Sequence, residues 1–170
     1  MIDKKTIKKV IKELSIAGII LLVVSNAISY IRQPELSTTS LPQLNLQTID
    51  GKSIDFQKYR GRPLLIHFWA SWCPTCKLET SNIDRVSKRY QVITVAVNSG
   101  DDSSIKNFLR DKNANFDVVN DSDSSIASEF GVEVFPSSFI YDGRGELLFL
   151  EVGYTSTAGL LARMAWATNR

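Results

Sequence analysis

The chain has 170 residues, 44% of them hydrophobic and 22% charged, enough for one domain with a buried core and too apolar to remain disordered. Its net charge is only +2 and is unevenly spread. Residues 1–32 carry six basic groups (Lys4, Lys5, Lys8, Lys9, Lys12, Arg32) against Asp3 and Glu13, which leaves the rest slightly acidic and excludes the basic stripe a nucleic-acid binder needs.

Residues 1–15 form a basic leader. Residues 16–32 follow as a mostly apolar stretch, uncharged up to Ile31, and it predicts one N-terminal transmembrane helix. By the positive-inside rule the lysines stay in the cytoplasm. In a bacterium, everything after Arg32 then stands in the periplasm on a single-pass inner-membrane anchor. Ser25-Asn26-Ala27 also fits the small-x-small pattern of a signal-peptide cleavage site. Cleavage after Ala27 would release a soluble periplasmic domain. Residues 33–43, rich in Ser, Thr and Pro, read as a tether, and residues 44–170 as the domain.

Within that domain, Leu44–Thr48 and Ser53–Phe56 flank the turn pair Asp50-Gly51 and predict a small hairpin. The unbroken apolar run Pro63–Trp69 predicts a buried strand. A helix is expected over Pro74–Tyr90, with proline near its first position, where the missing N–H costs nothing. Val92–Val97 predicts a second central strand, Asp102–Asp111 a helix, and Phe116–Val119 a short strand. Ser124–Phe130 reads as a short helix capped by Asp123 or Ser124. Ser137–Tyr141 and Leu147–Val152 predict a second hairpin, and Thr157–Thr168 a final helix. This order describes an α/β fold with a mixed central sheet flanked by helices.

Both cysteines of the chain sit in Trp72-Cys73-Pro74-Thr75-Cys76, at the start of the predicted helix. Unpaired backbone N–H groups there stabilise an anionic sulfur. Cys73 is thus the expected nucleophile of thiol–disulfide exchange. Cys76, one helical turn deeper, is the expected resolving thiol. Other uses of two thiols fit less well. A structural disulfide between positions i and i+3 closes almost no loop and stabilises little. A zinc site lacks further ligands, since His67 is the only histidine. A copper(I)- or thiol-client-binding module without redox turnover stays open as the alternative function, although only Met1 and Met164 supply thioether sulfur.

Phe68-Trp69-Ala70-Ser71-Trp72-Cys73-Pro74-Thr75-Cys76 and Gly131-Val132-Glu133-Val134-Phe135-Pro136-Ser137-Ser138-Phe139-Ile140 resemble the two signatures of the thioredoxin superfamily. Glu79 after Cys76, the hairpin before the first central strand and the N-terminal anchor resemble its membrane-tethered TlpA/ResA/DsbE branch. Tyr30-Ile31-Arg32-Gln33-Pro34 and the overall size resemble the suppressor-of-copper-sensitivity protein D group within it.

That resemblance implies a thioredoxin fold with an N-terminal β-hairpin extension. It implies a protein-disulfide oxidoreductase with no dissociable cofactor, whose redox group is the Cys73–Cys76 disulfide. It implies a cis bond before Pro136 opposite the dithiol, with the Phe135 backbone pairing to the partner and Trp72 offering an apolar landing surface; without it, Pro136 is an ordinary strand-starting proline. His67 falls where thioredoxins place a buried acid behind the second cysteine and is a candidate acceptor for the Cys76 proton, or else a packed core histidine. Glu79 lies where an acid tunes thiol ionisation, or else is a solvated helix charge paired with Lys77 or Arg85. The implied partners are exported cysteine-containing proteins and a membrane electron-transfer partner, met by a monomer; an isomerase remains a third possibility. The motif does not set the direction of electron flow, because reductants and oxidants share it.

Overall fold

The computed structural model describes residues 40–170 together with residues 12, 13, 15–18 and 20. The described residues of the first unit, residues 1–33, are helical. Most of the expected membrane span, the cleavage site after Ala27 and most of the tether lie outside the described residues. Among the described residues, no helix is long and apolar enough to cross a membrane.

In the second unit, β1 (Asn45–Gln47) and β2 (Ser53–Asp55) pair antiparallel as the expected hairpin. Gly51 turns it at φ +80°, a conformation that glycine adopts without strain. A 3₁₀ turn (Phe56–Tyr59) leads to β3 (Leu64–Trp69). Next come α1 (Pro74–Ser87), β4 (Gln91–Val97), α2 (Asp102–Asp111) and β5 (Asp117–Asp121). The chain closes with α3 (Ser125–Glu129), β6 (Ser137–Tyr141), β7 (Leu147–Val152) and α4 (Thr157–Thr168).

The five-stranded sheet has the order β5-β4-β3-β6-β7. β3 pairs parallel with β4 and antiparallel with β6, so it is the middle strand and is buried along its whole length. Alternation along β3 divides the core between the two faces. Ile66 and Phe68 pack with Phe56, Phe130 and Phe139 under the hairpin and α3. Leu65 packs with Ile83, Val86, Leu160 and Met164 of α1 and α4. Trp69 stacks on Phe108 of α2, ring centroids 4.9 Å apart.

Three local features differ from the sequence expectations. Helix α1 stops at Ser87 rather than Tyr90, because the chain must turn to bring Gln91 beside Leu64. Strand β5 runs on to Asp121, which pairs with Val97. Ser124 precedes α3 with φ +63° and gives no side-chain cap. Instead, buried Asp121 accepts the amides of Ile126 and Ala127 at 3.1 and 2.8 Å, and Asp123 accepts that of Ser125. Ser40 bridges to Glu146, and Leu41 is buried in the core.

Candidate active site

The C-terminal end of the middle strand and the start of α1 bring the cysteines together. Cys73 is the N-cap of α1, and its Sγ accepts the Cys76 amide at 3.2 Å. Pro74 follows as the first helical residue. The Cys73 thiol donates to the Phe135 carbonyl at 3.7 Å across the gap between α1 and the loop before β6. Both thiols are unbridged; Cys73 is 6% exposed and Cys76 2%. Burial, reinforced by the hydrogen bond with Cys73, pushes the Cys76 thiol well up from its ordinary value. Cys76 therefore keeps its proton while the pair is reduced.

The Phe135–Pro136 bond is cis. Phe135 meets exposed Trp72 edge-to-face, ring centroids 5.9 Å apart. The indole N–H of Trp72 donates to the Asn98 carbonyl at 3.0 Å, and the Ser71 amide donates to Ser99 Oγ at 2.9 Å. These bonds clip the cysteine loop to the segment after β4. Sequence reasoning did not single out Asn98 or Ser99. The available signal was Asn98-Ser99-Gly100 directly after a central parallel strand, since sites gather at such strand ends.

Glu79 lies three residues after Cys76 and is fully buried, so it is not the solvated helix charge that was one sequence expectation. Its Oε1 accepts the Thr155 amide at 3.2 Å, from the loop before α4, and Oε2 has no partner. Burial pushes its carboxyl up to about 8, against the Thr155 hydrogen bond and with a small push from Glu151. The Glu79 charge in turn helps to hold the proton on Cys76. Thr155 was missed at the sequence level because a backbone donor 76 positions away leaves no pattern in the chain.

His67 sits in mid-β3 between Thr94 and Ser138, and its Nδ1 lies 2.9 Å from Ser138 Oγ. Burial lowers its pKa to about 3, so the ring is neutral. This group contributes stability above pH 6.5 that drains away as pH falls towards 3. A urea-unfolding series from pH 8 to 3 is expected to show that acid loss in the wild type and a flatter limb in His67→Asn. Among the described residues, no cluster of three or more His, Cys, Asp or Glu is placed to hold a metal ion.

The sequence and the fold have parallels in known proteins. Residues 38–149 match the model of the AhpC/TSA family. The chain is 27% identical to a thioredoxin-like protein of Haemophilus influenzae over 95% of this chain and 96% of that one. It is 28% identical to the thiol-disulfide oxidoreductase ResA of Bacillus subtilis, over 66% of this chain and 65% of ResA. A crystal structure of a secreted Mycobacterium tuberculosis disulfide oxidoreductase homologous to Escherichia coli DsbE superposes with a TM-score of 0.65. That likeness covers 73% of this chain and 96% of the other at 25% identity.

Proposed function

The chain belongs to the AhpC/TSA family, on its thioredoxin-like branch with ResA- and DsbE-like thiol–disulfide oxidoreductases, and we propose that Cys73 and Cys76 are its reacting pair. The enzyme is a protein-disulfide oxidoreductase, and thioredoxin-like enzymes of this kind work through cysteine sulfur without a cofactor. One observation carries the assignment of the pair: Cys73 Sγ caps α1, receives an amide from Cys76 and faces the Phe135 carbonyl beside Pro136.

In the reducing direction, the Cys73 thiolate attacks one sulfur of a partner's disulfide. A Cys73–partner bond forms and the partner's second sulfur leaves as a thiolate. Cys76 then gives its proton to a base and attacks Cys73 Sγ, the first partner sulfur leaves, and two electrons have passed to the partner. Once Cys73 is bound to the partner, its sulfur no longer carries the charge that held the Cys76 proton. Buried Glu79 is the acceptor the surroundings favour, because its environment sets it near neutrality. Neutral His67, bonded to Ser138, has the support of position alone. Trp72 and the backbone at Phe135 form the partner-facing rim, and Pro136 orients that backbone.

The basic leader and the apolar stretch before the domain support a single-pass anchor with the domain in the periplasm. Clients are then exported cysteine-containing proteins, and a membrane partner exchanges electrons with the pair. Equilibration of the purified full chain against reduced and oxidised glutathione tests the assignment. We expect one two-electron transition, absent in Cys73→Ser, whose midpoint gives the direction of flow. Metal uptake without any such transition would favour the copper(I)-binding module instead.

A further inference from the structure

The end of the domain opposite the dithiol carries a charged surface that the exchange reaction does not use. Ser40 and Leu41 enter the fold beside the β6–β7 turn, where the Leu41 amide donates to the Gly145 carbonyl at 2.8 Å. That turn packs on the loop before β3: the Gly61 amide donates to the Gly143 carbonyl at 2.7 Å. The chain thus enters at the start of β3, and Cys73 lies beyond its end. Six residues of strand separate the two ends by about 20 Å.

Arg62 and Arg89 stand on this entry side, two residues before β3 and β4 respectively, and both are exposed. They line one cleft of about 510 Å³ with Tyr90, Gln91 and Thr168 of the last turn of α4. Near that turn Trp166 is 56% exposed, with the Arg170 guanidinium 5.4 Å from its ring centroid. Among the described residues, the Arg60 guanidinium bonds only the neutral oxygens of Gln57 and Arg144. The nearby acids are engaged: Asp142 by Arg144 at 3.1 Å, Asp84 by Lys88 at 2.5 Å, and Glu146 by the Ser40 hydroxyl. Arg62 and Arg89 have no carboxylate partner among the described residues.

We infer that this entry-side end, with Arg62 and Arg89 in its cleft and Trp166 exposed on the last turn of α4, seats on the anionic phosphate headgroups of the bilayer, and so holds the dithiol end facing away from it. The inference rests on the anchored reading of the leader. Ser40 follows Arg32 by eight residues, a reach of at most about 29 Å, so the entry side stays within that distance of the lipid. Arginine complements headgroup phosphate. An exposed indole suits the interfacial layer, with its apolar body inward and its N–H in the wet headgroups.

The test uses the full chain in vesicles of phosphatidylcholine alone, or with phosphatidylglycerol added, carrying a nitroxide on a fraction of the headgroups. Trp166→Phe supplies the background from Trp69 and Trp72. We expect quenching of the Trp166 emission in the phosphatidylglycerol vesicles and little in phosphatidylcholine. Each arginine near a charged surface shifts the seating equilibrium about fivefold, so Arg62→Gln with Arg89→Gln is expected to weaken it about 25-fold. Arg62→Lys with Arg89→Lys is expected to retain most of it, and glutathione exchange is expected to be unchanged in both. Equal quenching in the two lipids, or quenching indifferent to the glutamine pair, overturns the seat and leaves the surface to a protein. Alkaline carbonate extraction reads the anchor separately. A chain that stays in the membrane with Trp166 unquenched defeats the seat alone, whereas a chain that is extracted defeats the anchor.

Discussion

Serine in place of Cys73 is expected to bring disulfide exchange down to the solvent background, and serine in place of Cys76 to halt it half-way. The two outcomes differ because the sulfurs differ in place. Cys73 is the cap of α1, beside the Phe135 carbonyl where a partner is expected to dock; Cys76 is 2% exposed and lies against Cys73 and the Ala70 backbone. Without Cys73 no sulfur remains within a partner's reach. Without Cys76 the first attack proceeds and the mixed disulfide has no internal thiol to break it. Incubation with a disulfide-bonded client, acid quenching and intact-mass measurement distinguish the two. Cys76→Ser should accumulate protein plus client, and Cys73→Ser should show neither adduct nor turnover. An adduct of comparable yield on Cys76 in the Cys73→Ser protein would reverse the proposed roles.

The second large effect lies at Glu79. Its carboxyl titrates near 8 in the folded protein and near 4.5 in the unfolded chain. A carboxyl raised on folding favours the native state while it is neutral. That contribution is complete below pH 4.5, declines as pH rises, and is gone above about 8. The span corresponds to about 4 to 5 kcal/mol, a large share of a domain's stability. Glu79→Gln keeps an oxygen for the Thr155 amide and removes the charge. The variant is expected to unfold at higher urea than the wild type at pH 8 or above, with the gap closing towards pH 4.5. Its resolution step is expected to slow about a hundredfold, the usual loss when a positioned base is removed. Stopped-flow decay of the mixed disulfide over pH 6 to 9 measures this. A wild-type rate with no inflection near 8, matched by the variant, would remove Glu79 from the proton path.

Much of this was legible in the chain itself. The short apolar run Leu64–Trp69 fits a strand buried on both faces, and Cys73-Pro74-Thr75-Cys76 after it marks a helix start bearing two thiols. The turn pair Asp50-Gly51 and the apolar runs of β6 and β7 placed the hairpins for the same local reason. What stayed hidden depends on distant partners. Spacing along α1 allowed Glu79 to face solvent, and only the packing of the loop at Thr155 shows that it faces inward. The cap of α3 was only partly legible: Asp123 takes the Ser125 amide as one alternative had it, but Asp121, inside the preceding strand, reaches forward to amides five and six residues on. Asn98 and Ser99 acquire their role from a neighbouring loop, 26 and 28 positions from the groups they bind.

The clipping of Ser71 and Trp72 to the end of β4 has a bearing on which clients are served. Cys73 is 6% exposed, on a loop fastened at two points. The target has to bend inward to it. On this geometry a client disulfide on a pliant segment is expected to exchange faster than the same disulfide locked inside a finished fold, a difference that rates measured on one client before and after folding would read.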